Sequence, residues 1–387
     1  MTQEATQDTA ADGGGFEADA EPVRALPIVP AQAGGLSGRG LAQKPRASVA
    51  RVLRHWYIVA MSAELGAEPI ARTLFGMPLV LFRNESGEVG ALLDRCPHRN
   101  VPLSNGRVEG GRLECPYHGW QFDTGGVCRF VPSMTGPSEG KARRAPSFAA
   151  KEQAGFVWVY ATPNEEPQVE PYRFEYADRY GYTTVRRMVE APGTLHATLE
   201  NALDVPHTAF LHKGLFRSKS RGITITAQVH RGPDRVVTEY LGEPRPPGLV
   251  ARILSPSGGM VTHFDRFILP SIAQVEYRIG TENHFFIDSV MTPVSDFVTR
   301  IYAVVSFRLR LIPGWLIKPF LMPLAMRVFR QDSEILATQT ELIHRFGGEQ
   351  FVSTELDIMG KHIWRLLKAA ERGDTAGEER AEVKLVV

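Results

Sequence analysis

The feature that most constrains this chain is a repeat inside residues 96–120, CPHRNVPLSNGRVEGGRLECPYHGW. Cys96-x-His98 and Cys115-x-x-His118 each place one soft thiolate and one imidazole in a short loop. Gly106, Gly110 and Gly111 lie between the loops and let the chain turn back on itself. Pro97 and Pro116 directly follow the cysteines, stiffen both loops and leave neighbouring N–H groups free to point at sulfur.

The chain has three cysteines, Cys96, Cys115 and Cys128. An odd count argues against a disulfide framework and fits a reducing compartment, with the cytoplasm as the expected location. A total of three also excludes a four-cysteine iron–sulfur cluster from this chain alone. A Cys₂His₂ zinc site needs the same four side chains, but zinc motifs usually separate paired ligands by two or more residues, and Cys96-x-His98 leaves one. A Rieske [2Fe–2S] centre needs two thiolates on one iron and two imidazoles on the other. Two loops that each give one Cys and one His meet that demand, and Cys128 is spare.

The chain has 387 residues, 43% hydrophobic and 22% charged, with a formal net charge of +1. That is ordinary for a globular protein of two domains and gives no basic footprint for nucleic acid. The start, MTQEATQDTAADGGGFEADAE, is acidic, lacks an apolar h-region and does not read as a signal peptide. Residues 1–48 read as a disordered tail. The glycines of AGGLSGRGLAQ (33–43) follow no strand pattern, so no dinucleotide site is expected there.

Short β-like runs begin after Ser48, including PLVLFRN (78–84), VGALLD (89–94) and FVWVY (156–160), with Asn-Glu-Ser-Gly as a turn. The Pro- and Glu-rich segment 163–176 marks a boundary, so 49–165 forms an all-β module and 166–372 a second domain. In the latter, a helix is expected around 194–212. Strands follow near 222–231, 235–242, 261–268, 271–279, 283–291 and 299–309, then helices near 315–346 and 354–371. The fold class is α+β, an antiparallel sheet of about seven strands with flanking helices, and 373–387 is expected to be a flexible tail.

A second constellation lies in LENALDVPHTAFLHKG (199–214), where Glu200, Asn201, Asp204, His207 and His212 interrupt an apolar stretch. Side chains five apart on a regular helix diverge by roughly 140°. His207 and His212 can therefore face one point only if the segment bends, and Pro206 and Lys213-Gly214 supply the breaks. Two histidines suit Fe(II) when one carboxylate completes a facial triad.

Cys96-x-His98, the sixteen-residue spacer, Cys115-x-x-His118 and Gly119-Trp120 resemble the signature of the Rieske non-haem iron oxygenases. The likeness covers roughly residues 50–350. It implies that the triad's carboxylate comes from a late helix, where MRVFRQDSEILATQTEL (326–342) offers Asp332, with Glu334 and Glu341 as competitors. It gives Asp204 the part of a bridging aspartate between His207 and His118 of a neighbouring subunit, and hence implies a ring, a homotrimer. Asn201 would support that shell.

The implied activity is that of a terminal oxygenase: a Rieske cluster feeds electrons to a mononuclear Fe(II), which activates O2. NAD(P)H would act through a separate reductase, with or without a ferredoxin. A Rieske electron carrier without catalysis is the alternative of another class.

LIPGWLIKPFLMPLAM (311–326) is apolar but short for a span and broken by Pro313, Lys318, Pro319 and Pro323. Two readings stay open: core packing against the sheet, or an apolar entrance in peripheral contact with a membrane. The segment is similar to that of family members acting on bulky lipophilic molecules. The implied substrate is therefore a hydrophobic, sterol-like or polycyclic small molecule, with O-demethylation or ring hydroxylation of an aromatic acid as the alternative. His263 and His284 read as buried, satisfied histidines on strands.

Overall fold

The computed structural model describes residues 46–212, 222–243, 261–280, 283–310 and 313–386, apart from the side chain of Leu321. The acidic start, the 33–43 glycines and the Lys213-Gly214 stop signal lie outside these residues. Arg46–Ser48, expected to belong to the tail, are fixed instead. Arg46 bridges Gly348, and the Ser48 hydroxyl donates to Glu349 Oε2 at 2.5 Å.

The first part of the chain builds three small sheets. Trp56–Met61, Phe156–Tyr160 and Ala150–Gln153 form one, while Ile70–Leu74, Met77–Arg83, Val89–Leu93 and Ser147–Phe148 form the next. FVWVY is buried along its whole length because both its faces are covered, which is why it shows no polar alternation. Asn84 makes the expected turn: its Oδ1 accepts from the Glu88 N–H at 2.9 Å, and Gly87 takes φ +81°. The third sheet, Arg107–Glu109, Arg112–Glu114, Gln121–Phe122 and Cys128–Phe130, carries the cysteine loops. Gly110 and Gly111 both have positive φ, +55° and +68°, as a two-residue hairpin turn requires.

The second part is an antiparallel sheet of eight strands. Its order is Thr183–Ala191, Val298–Arg308, Asn283–Ser295, Ile272–Ile279, Val261–Ile268, Arg235–Leu241, Thr224–Arg231 and Glu379–Val386. The eighth strand corrects the expectation of a flexible tail from 373 onward. It pairs with Thr224–Arg231, and its alternation turns Ala381, Val383 and Leu385 onto the core. Charge at every other position masks this alternation in the sequence, where Ala381, Val383 and Leu385 are the apolar members.

The sheet is covered on both faces. On one, Ile272, Val290, Tyr302 and Val304 pack against Trp56, Ile58, Phe156 and Trp158 of the first part. On the other, among the described residues, lie three helices, Leu195–Ala202, Gly314–Phe346 and Gly360–Arg372, which bury Leu195, Leu199, Leu336, Ile363, Leu366 and Leu367 over Val236, Phe267, Met291 and Ile301. Helices gathered on one face of an antiparallel sheet are the α+β arrangement.

Candidate iron sites

The two cysteine loops share one backbone design. In the first, the Cys96 N–H donates to Val101 O at 2.9 Å, the Asn100 N–H donates to Cys96 O at 2.9 Å, and Asn100 has φ +60°. In the second, the Cys115 N–H donates to Trp120 O at 2.8 Å, the Gly119 N–H donates to Cys115 O at 3.1 Å, and Gly119 has φ +68°. Each cysteine thus opens a turn closed by the fourth and fifth residues after it. Asn and Gly stand where the left-handed conformation is needed.

Both cysteines are buried and free, and the rings of His98 and His118 lie 4.5 Å apart. Burial pushes the Cys96 thiol up to about 11; N–H groups of His98 and Arg99 aimed at its sulfur act in the opposite sense, and the adjoining Cys115 thiol adds to the rise. His98 stacks on Trp120 with centroids 4.7 Å apart and planes 4° from parallel, and its Nδ1 is shielded without a hydrogen-bond partner. Two neighbouring thiols and two neighbouring imidazoles, one with an orphaned buried nitrogen, fit a Rieske cluster. Tyr117 and His118 stand exposed at the tip, and Arg95 and Arg99 flank it.

The second site forms where the chain breaks as expected. The helix stops at Ala202 and Pro206–Ala209 makes a single 3₁₀ turn, so His207 and His212 come together. Their Nε2 atoms are 3.2 Å apart. Asp332, midway along the helix Gly314–Phe346, brings Oδ1 to 3.1 Å from His212 Nε2 and 3.5 Å from His207 Nε2. Glu334 and Glu341, the competing carboxylates, are not in this group.

The opposite ring nitrogens are tied to oxygen. His212 Nδ1 lies 3.0 Å from Gln331 Oε1, and His207 Nδ1 donates to the main-chain carbonyl of Asp204. Each imidazole thereby carries its proton on Nδ1 and turns a lone pair at Nε2 inward. Asp332 Oδ1 is buried and accepts no hydrogen bond. Three donor atoms about 3 Å apart suit adjacent corners around a divalent first-row ion with ligands at about 2.1 Å. The donor set, two imidazoles and one carboxylate, fits Fe(II). Burial opposes the charged form of His207, but hydrogen bonds and charge from Asp204 and Asp332 raise its pKa to about 9. A bound cation would displace that proton.

Asp204 has its Oδ2 3.4 Å from His207 Nδ1 and accepts from the His207 main-chain N–H at 3.3 Å. It also lines a cavity of about 460 Å³ with Glu200, Asn201, Tyr240, Gln350 and Asp357. The Asn201 carbonyl accepts from the Asp204 N–H at 3.4 Å. His207, His212 and Asp332 do not line this cavity, so it opens on the Asp204 side of the site.

Residues 55–149 match the Rieske [2Fe-2S] domain family, and residues 194–373 match the vanillate O-demethylase oxygenase C-terminal domain family. The chain belongs to the Rieske non-haem iron oxygenases. The chain is 34% identical over 161 residues to the dicamba O-demethylase oxygenase component of Stenotrophomonas maltophilia, covering 41% of this chain and 47% of that one. It is 40% identical over 111 residues to the 4beta-methylsterol monooxygenase of Methylococcus capsulatus, covering 27% and 30% respectively. The chain spans less than half the length of both curated relatives. In three dimensions it is similar to dicamba monooxygenase bound to 3,6-dichlorosalicylic acid, with a TM-score of 0.70 and 22% identity over 84% of this chain and 98% of the other.

Two groups near the site were not singled out from the sequence. Gln331 is one; nothing marks a glutamine beside a carboxylate on a helix as an imidazole's partner. The other surrounds His263, which donates from Nδ1 to Glu243 Oε2 at 2.8 Å and from Nε2 to Asp265 Oδ1 at 3.0 Å. Its ring is stacked between Tyr240 and Tyr277, with centroids at 4.5 and 4.1 Å. Burial lowers its pKa, yet Asp265 and Glu243 outweigh burial and raise it to about 9. His284 meets Tyr182 and Glu276 at 2.6 and 3.0 Å, so both histidines are satisfied. His263 pairs with Tyr277 and His284 with Arg278, which places the two histidines on opposite faces of the sheet.

Proposed function

We propose that this chain is a terminal oxygenase that hydroxylates or oxidatively demethylates a bulky hydrophobic small molecule, drawing electrons from NAD(P)H through a separate reductase, with or without a ferredoxin. The observation that carries the reading is the convergence of His207 Nε2, His212 Nε2 and Asp332 Oδ1 in a chain that also bears the paired Cys-His loops. In this reading residues 49–165 are the cluster module and 166–372 the catalytic one. Cys96, His98, Cys115 and His118 hold the [2Fe–2S] cluster, and His207, His212 and Asp332 hold Fe(II). When bound, the cluster stores and passes single electrons and the Fe(II) activates O2 beside the substrate.

The protein's own groups do the positioning. Gln331 and the Asp204 carbonyl hold the two Nδ1 protons, so the Nε2 lone pairs stay aimed inward. The Asp204 carboxylate is left to meet a partner through the cavity beside it. An exposed His118 and Tyr117 flanked by Arg95 and Arg99 suit that acidic mouth, which also carries Glu200 and Asp357. A second copy would therefore dock its cluster tip there, which supports a head-to-tail ring; the family resemblance makes that ring a homotrimer. Three buried free thiols suit the reducing conditions of the cytoplasm.

His263 offers no binding group to an aromatic acid. It is a buried cation on the helix-bearing face of the sheet, but Glu243 and Asp265 already occupy both of its N–H groups. It has none left for a substrate carboxylate. One relative is named a methylsterol monooxygenase, in keeping with a lipophilic substrate.

The test is iron content with turnover. The wild type should hold about three irons per chain, and His207→Ala about two, with the visible spectrum of the cluster retained. O2 uptake coupled to oxidation of lipophilic candidates, with a surrogate reductase as electron source, should vanish in the variant. Two irons in the wild type and no turnover would instead identify an electron carrier.

A further inference from the structure

The first three turns of the helix Gly314–Phe346 are amphipathic in the inverse sense. Trp315 is 68% exposed and Phe320 78%, with Leu316 and Leu324 exposed as well. At about 100° per residue, these four with the exposed Pro319 and Pro323 fall within roughly half the circumference. Ile317, Met322 and Ala325 occupy the remaining arc, half-buried against the protein. A helix that turns its apolar stripe outward leaves that stripe for something other than its own core.

The charge around the stripe says what. From Phe297 to Gln331 the sequence contains no Asp or Glu, whereas Arg308, Arg310, Lys318, Arg327 and Arg330 lie there; Arg300, in the same stretch, is neutralised by Glu190 at 3.0 Å. Lys318, Arg327 and Arg330 are exposed on the same helix. Among the described residues no helix is long and apolar enough to cross a membrane. Arg327 and Arg330 continue the line of this arc on the next turns, and an apolar stripe that begins with an aromatic and runs on into cations is the form of a helix that lies in the interface of an anionic bilayer.

We propose that the segment Trp315–Arg330 seats the protein on a membrane surface containing anionic lipid, with Trp315, Leu316, Phe320 and Leu324 in the acyl boundary. The full iron-loaded chain should float with vesicles of phosphatidylcholine and phosphatidylglycerol and lose about tenfold in binding on phosphatidylcholine alone or in half-molar salt. Acyl-brominated lipid should quench its tryptophan emission, because Trp56 and Trp158 are buried and Trp120 and Trp364 half-buried. Trp315→Phe should remove the quenching while flotation persists. Leu316→Ser with Phe320→Ser should lower flotation at least about tenfold while the cluster's visible spectrum is kept, which shows the fold intact.

Absence of flotation by the wild type, or equal flotation by the double variant, overturns the proposal. So does a double variant that falls apart into smaller assemblies without changed flotation, since the stripe would then be a contact between copies. None of these results bears on iron content or turnover, so the oxygenase reading stands or falls separately.

Discussion

His212 is gripped from both ends: Nδ1 meets Gln331 Oε1 at 3.0 Å while Nε2 faces Asp332 Oδ1 at 3.1 Å, and the two partners are consecutive residues of one helix. The helix therefore supplies both a carboxylate and the group that selects its neighbour's tautomer. Replacing Gln331 by Leu should weaken Fe(II) binding about 10–100-fold, as loss of an outer hydrogen bond to a ligating histidine does. Gln331→Glu keeps an acceptor and should restore most of it. Competition against a chelator measures the affinity, and cluster absorbance should not move. Unchanged affinity in the Leu variant would remove Gln331 from the site.

Asp204→Ala separates holding iron from using it. The His207 tautomer rests on the main-chain carbonyl of Asp204, which the substitution keeps. Both centres should load normally, and turnover should fall by at least about two orders of magnitude, because only the carboxylate has gone. Single-turnover oxidation by prereduced protein at the wild-type rate would rule the carboxylate out.

The clamp on His263 makes a pH prediction. Its pKa in the folded protein is raised to about 9, against an ordinary value of 6.5. The charged form is thus bound more tightly folded than unfolded. Its stabilisation is complete below about pH 6.5 and is lost as pH climbs through 9. A shift of that size corresponds to on the order of 3 kcal/mol. Thermal midpoints of the wild type should decline between pH 7 and 9.5, whereas His263→Gln should start lower and stay nearly level. Parallel curves would show that the imidazole does not titrate there.

Gly106 lies against the second cysteine loop. A Cβ at this position would come within 1.9 Å of the Glu114 carbonyl oxygen, one residue before Cys115. Gly106→Ala must displace that strand end, at about 1–3 kcal/mol. The cluster should be under-loaded while Fe(II) at His207, His212 and Asp332 is unaffected, which iron and sulfide assays distinguish. Full sulfide content would contradict the packing argument.

Local chemistry was the legible part. Pro206 between Asp204 and His207 announces a break, and a break is what lets histidines five apart meet. The paired Cys-His loops and their glycines carry their geometry in residue types that only certain backbones favour. Gln331 was hidden because its partner lies 119 residues away and a helical glutamine has many uses. The strand Glu379–Val386 was hidden because its alternation is short and dense in charge, and pairing with Thr224–Arg231 decides it. Apolar content in 311–326 was visible, but periodicity does not tell which side of a helix the protein covers; Trp315 and Phe320 show it is the other side.

The matched turns at Cys96 and Cys115 are each closed by their own main-chain hydrogen bonds and by a residue already in the left-handed region. Scaffold and donors are thereby separable: a thiol or imidazole can be exchanged in either loop without touching the main-chain bonds that fold it.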